Sequence, residues 1–86
     1  QLQNNWLRFY MKDLLEFVVK GLVDDPAEVT IEENIKDDLT VYELKVSKSD
    51  IGKVIGKKGR TAGAIRTILK AVSTKQGKKV ELEIIE

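Results

Sequence analysis

Three glycines fall within eight residues, at Gly52, Gly56 and Gly59, inside a stretch of otherwise helical character. Glycine in a helix interior costs about 1 kcal/mol relative to alanine. A chain that keeps three of them here breaks the helix and uses the freed backbone, through a positive φ or the close approach of another group. The full run, Ile51-Gly52-Lys53-Val54-Ile55-Gly56-Lys57-Lys58-Gly59-Arg60, also carries four cations. Spacing excludes two familiar phosphate-binding loops. A Walker loop has four residues between its glycines and then Lys-Ser/Thr, whereas three residues separate Gly52 from Gly56 and Lys57-Lys58 follow. A dinucleotide fingerprint is G-x-G-x-x-G between a strand and a helix, and here the pattern is G-x-x-x-G-x-x-G between two helices.

What fits is a G-x-x-G loop at a helix–helix junction. Without Cβ atoms at Gly56 and Gly59, a sugar-phosphate backbone can lie against the main chain, and the free N–H groups opening the next helix point toward its phosphates. Lys57 and Lys58 add two cationic donors at the tip. Beside them Ile51, Val54 and Ile55 offer an apolar wall for unstacked bases, which single-stranded RNA presents and a duplex hides.

The remaining pattern frames this loop. Leu14, Leu15, Val18, Val19 and Leu22 recur at helical spacing from Met11 onward, and Asp24-Asp25-Pro26 stops the helix. Residues 29–32 alternate as a half-buried strand, Lys36-Asp37-Asp38 forms a turn, and residues 39–46 form a second strand with Tyr42, Leu44 and Val46 on one face. Ser49 is placed to cap a short helix over 50–55, a longer helix covers 60–73, and residues 80–84 alternate cleanly as a last strand. The predicted fold is α+β, in the order α-β-β-α-α-β. The first two strands pair as a hairpin, and the two-helix crossover returns the third strand parallel to its neighbour. Three helices then cover one face of a three-stranded mixed sheet.

At 86 residues the chain is one small domain. With no cysteine and no histidine it has no disulfide, no zinc finger, no thiol nucleophile and no Ser–His or Cys–His arrangement. No paired carboxylates sharing a pocket follow from the spacing, so a binding module is expected rather than an enzyme, with no cofactor and no metal. No apolar run approaches the roughly 18 residues of a membrane span, which leads us to expect a cytoplasmic protein. The net charge of +1 conceals a segregation: residues 45–79 hold eleven basic side chains against the single acid Asp50, and the remainder is strongly acidic. A polyanion is expected to dock at one end.

The run Val54-Ile55-Gly56-Lys57-Lys58-Gly59 resembles the signature of the KH domain, and the element order is similar to its type II, prokaryotic arrangement. The resemblance covers residues 11–86, and the small size is similar to the bacterial single-KH RNA-binding proteins of the KhpA family. It implies that Gly56, Lys57, Lys58 and Gly59 contact an RNA backbone, that Gly52 and Ile55 lie beside the nucleotide groove, and that Lys53 and Arg60 flank it. It also implies a post-transcriptional regulator or RNA chaperone that pairs with itself or with a second, KhpB-type KH protein. A protein-assembly role for the same fold and a preference for single-stranded DNA remain as alternatives.

Residues 1–10 hold three of the five aromatics, Trp6, Phe9 and Tyr10, without a clear period. They are expected to be an upstream extension or a foreign remnant, the alternative being an N-terminal helix that anchors Trp6 and Phe9. In the helix over 60–73, Ala62, Ile65, Leu69 and Val72 form the stripe facing the sheet, with Arg66, Lys70 and Ser73 on the wet side. Ala64, Ile68 and Ala71 widen the apolar arc beyond what one sheet contact needs, which favours a symmetric dimer through this helix.

Overall fold

A computed structural model describes residues 2–75 and 77–86, with side chains from Met11 onward. Helix α1 spans Leu2–Leu22, followed by strands β1 (Thr30–Lys36) and β2 (Leu39–Lys45), helices α2 (Ile51–Ile55) and α3 (Arg60–Thr74), and strand β3 (Lys79–Ile85). The sheet order is β1-β2-β3, with β1 antiparallel and β3 parallel to the central β2. The α-β-β-α-α-β order, the mixed sheet and the parallel return are those expected from the pattern.

Alternation decides which face of the sheet is buried. Ile31 on β1, Thr40, Tyr42 and Leu44 on β2, and Val80 and Leu82 on β3 all turn to one side. There they meet Leu15 and Val19 of α1, Val54 of α2, and Ile65 and Leu69 of α3. Each such aliphatic side chain contributes roughly 1.5–3 kcal/mol on burial. Tyr42 is fully buried, and its hydroxyl donates to the Glu33 carboxylate at 3.1 Å, so its polar end is satisfied at the edge of the core.

Several local expectations change. Helix α1 begins well upstream of Met11, and Met11 is itself in the core. The side chains of Trp6, Phe9 and Tyr10 lie outside the described residues. Leu22 is exposed, and Val23, just past the helix end, takes the buried place. Strand β1 continues to Lys36, so the hairpin turn is the two-residue Asp37-Asp38, with Asp37 at a φ of 54°, a conformation aspartate tolerates. Ser49 caps nothing: it lies in a 3-10 turn over Lys48–Asp50, with its hydroxyl 3.1 Å from that of Ser47. Ser73, assigned above to the wet side, is 2% exposed. Its hydroxyl donates to the Lys70 carbonyl, while its own carbonyl accepts the Lys78 N–H. With Gly77 N–H donating to Thr74 and Gly77 at positive φ, α3 ends in a Schellman turn that sends the chain back into β3.

The open face of the sheet carries a row of three carboxylates, since Glu32 pairs with Glu43 and Glu43 with Glu83 across the strands. Like charges directly opposite one another weaken strand pairing. Glu43→Gln should therefore raise stability by roughly 0.5 kcal/mol, an upward shift of about 3 °C in a thermal melt. The gain should be larger at low salt than at high salt.

Candidate nucleic-acid interface

Helix α2 has only five residues and holds its place through two side chains a turn apart, Asp50 just before it and Val54 within it, both 0% exposed. Val54 packs in the core, which removes it from the apolar wall expected beside the loop, and Ile51 also leans on the core. Asp50 accepts the backbone N–H groups of Asp24 and Asp25 at 3.1 and 3.0 Å, tying α2 to the segment that leaves α1. Lys53 completes the cluster, donating to Asp24 and lying 3.5 Å from Asp50. Burial pushes the Asp50 carboxyl up, but the two N–H bonds and Lys53 outweigh it and hold the group below the ordinary carboxylate value. The bond to Asp24, against some desolvation and with help from Asp50, keeps the Lys53 ammonium above its usual value. The charge of Lys53, expected to flank the RNA, is thus engaged with two carboxylates of its own chain.

The loop follows directly. Gly56 closes α2 by donating to the Gly52 carbonyl at 2.8 Å and then adopts φ 77°, ψ 172°, a region only glycine occupies without strain. A Cβ at this position would also lie 2.9 Å from the Thr61 backbone nitrogen, so the first turn of α3 packs directly against the glycine. The Gly59 N–H donates back to the Gly56 carbonyl at 3.1 Å, and Lys58 and Gly59 are both left-handed, with φ 56° and 71°. This tight reversal leaves Lys57 and Lys58 exposed at its tip. Gly52 has no positive φ and no protein neighbour within 4 Å of a built Cβ. Its backbone stands open at the surface.

Helix α3 starts on Gly59 with no side-chain cap and no acid in its first turn. Arg60 opens the helix, and Lys57 and Lys58 stand just ahead of it. Cations at the positive end of a helix dipole are unfavourable, each by a few tenths of a kcal/mol, unless an anion joins them. The loop therefore gathers positive charge at the start of α3 that no acid of the helix's first turn offsets.

Beside it runs a groove of about 360 Å3 with Ile55, Gly59, Ala62 and Arg66 on one wall and, on the other, the outer edge and end of β3, where Leu82 and Ile84 alternate with Glu81, Glu83 and Glu86. Of the expected residues, Ile55 and Gly59 line this groove, with Gly56, Lys57 and Lys58 between them in the chain, whereas Lys53 is occupied by its carboxylates. Arg66 and the β3 edge were missed by sequence reasoning. Arg66 is exposed as expected, yet it donates to the Leu82 carbonyl at 3.3 Å and so reaches across to the strand. The available signal was positional: a strand that follows α3 and lies at the sheet edge presents unpaired backbone groups to that helix.

Because the folded Asp50 carboxyl is held below its unfolded value, its stabilising effect is present above about pH 4 and fades as pH falls through the lower folded value. Asp50→Asn should lower the melting temperature by roughly 10 °C at neutral pH. The gap to the wild-type protein should narrow as melts are repeated toward pH 2.

Comparison with known proteins bears on the loop and the fold together. The KhpA/KhpB KH domain matches residues 12–84. The chain is 52% identical over 75 residues to RNA-binding protein KhpA of Clostridium perfringens, covering 87% of this chain and 100% of that protein. It is 53% identical over 76 residues to RNA-binding protein KhpA of Chlamydia caviae, covering 88% of this chain and 97% of that one. The RNA-binding protein KhpA of Listeria monocytogenes is 51% identical over 76 residues, 88% of this chain and 100% of the relative. A helix–loop–helix closed by Gly56 and Gly59, set in the crossover of a mixed three-stranded sheet and matched over nearly its whole length, makes this chain a member of the KhpA/KhpB family of KH domains.

Proposed function

We propose that the chain binds single-stranded RNA, with the Gly56-Lys57-Lys58-Gly59 loop clamping the phosphate backbone and bases entering the groove between Ile55 and the β3 edge. The observation that carries this is the tight loop itself, two exposed lysines held over the uncapped, cation-bearing start of α3. Neutralising a phosphate there relieves an electrostatic conflict that the free protein retains. The relatives named as RNA-binding proteins support RNA over DNA. Gly59 and Gly52 leave open space for the strand at the main chain, Gly56 permits the reversal against Thr61, and Arg60 supplies a further cation. Lys53 serves mainly through its hold on Asp24 and Asp50. The role is binding rather than catalysis, within a domain of residues 11–86, and we assign it to a cytoplasmic post-transcriptional regulator or RNA chaperone. Among the described residues no helix is long and apolar enough to cross a membrane.

One KH groove reads only about four nucleotides, so pairing of two domains raises affinity by avidity. Ile68 is 47% exposed and borders an apolar depression with Leu14 and Val18 where α1 meets α3. This surface supports a homodimer, and the same surface suits a KhpB-type partner.

Lys57→Asp with Lys58→Asp should reduce single-stranded RNA affinity by at least tenfold while moving stability by about 0.5 kcal/mol or less. Fluorescence anisotropy beside a thermal melt tests both parts, and unchanged affinity in this variant rules out the loop as the clamp. Parallel titrations with single-stranded DNA of the same sequence test the preference for RNA. Ile68→Glu should yield a folded monomer by light scattering with weaker binding to long RNA, and a wild-type protein that is already monomeric at high micromolar concentration removes the homodimer.

A further inference from the structure

The clamp uses Lys57, Lys58 and Arg60, and five more of the eleven basic side chains of residues 45–79 follow it in the chain: Arg66, Lys70, Lys75, Lys78 and Lys79. No acidic residue lies between Asp50 and Glu81 to balance them. The structure sets two of them, Arg66 and Lys70, along one feature, the seam between α3 and β3. The groove beside the loop meets a second depression of about 310 Å3 farther down the α3–β3 seam, and both are bordered by Arg66, Glu81 and Leu82. On the helix wall the lower depression has Arg66 and Lys70, four residues apart on one face of α3. The turn from α3 to β3, which carries Lys75 and Lys78, closes the far end of the seam.

We propose that the bound RNA continues past the loop along this seam, its phosphates on the α3 wall at Arg66 and Lys70 and its onward path toward Lys75. The inference rests on the clamp described above and extends its site. Two arguments carry it. Like charges at positions four apart on a helix repel, and Arg66 and Lys70 have no acid one turn away on α3 to offset them, so a phosphate between them removes a cost. The opposite wall is acidic at Glu81, which repels a phosphate backbone and confines it to the helix side. Arg66 already bridges the two walls through the Leu82 carbonyl. Only one of its five N–H groups is needed for that bond, so the others serve a ligand.

The test compares single-stranded RNA of four and of eight nucleotides, in the same repeating sequence and with a fluorescent label. It uses the wild-type chain, Lys70→Glu with Lys75→Glu, and Lys57→Asp with Lys58→Asp. Lys70 and Lys75 are exposed, so that pair should remain folded, which circular dichroism verifies. The wild type should bind the longer strand more tightly than extra binding registers alone explain. Lys70→Glu with Lys75→Glu should leave four-nucleotide affinity within about twofold, weaken eight-nucleotide affinity by roughly tenfold, and flatten the salt dependence of the longer strand by about 0.7 per lost phosphate contact. An unchanged eight-nucleotide affinity in this variant, or an equal loss at both lengths, overturns the extended path. Failure of the clamp is seen separately, as unchanged four-nucleotide binding in Lys57→Asp with Lys58→Asp. Absence of binding at both lengths by the wild type overturns both.

Discussion

The carboxylate of Asp50 accepts two backbone N–H groups from a segment some 25 residues earlier in the chain, and the geometry of the Gly56–Gly59 loop depends on that contact. A five-residue helix has no stability of its own, because nucleation costs more than its few hydrogen bonds return. Helix α2 persists because Asp50 holds one end and Val54 is buried within it. With α2 fixed, the Gly56 reversal and the start of α3 are fixed too, through the Gly56 bond to Gly52 and the close packing on Thr61. A buried charge satisfied by its own chain thus supports a loop whose lysines stand exposed.

That contrast orders the whole surface. Lys53 lies one turn of helix before the loop, yet it is tied to Asp24 and Asp50, whereas Lys57, Lys58 and Arg60 stand at the positive end of α3, whose first turn holds no acid. The unfavourable placements gather at one loop, and the stability given up there is the kind of cost that the proposed binding role would explain.

Much of this was legible in the sequence because its signals are local. The glycine spacing marks the loop, alternation marks the strands, and the crossover length implies the parallel return of β3. What escaped was mostly non-local. Asp50 and Asp24 are far apart in the chain, so Lys53 read as a free cation. Val54 looked like part of a groove wall because residue type cannot tell a core aliphatic from a rim one on so short a helix. Ser73 read as wet because of its hydroxyl, although helical phase sets it beside Ala62 and Leu69 on the buried face. The groove as a whole needs β3 beside α3, a tertiary fact that no spacing encodes.

Strand β3 has a further consequence in time. It pairs with β2 in parallel and therefore closes the longest crossover in the fold, around α2, the loop and α3. The β1–β2 hairpin needs only a two-residue turn and can form early, whereas the parallel contact must bear the loop-closure entropy of the intervening helices first. On the ribosome the lysine-bearing loop emerges before the strand that supplies the other wall of its groove. The growing chain therefore displays its positive charge before it has a complete cleft, and the groove takes its shape only when the last strand docks.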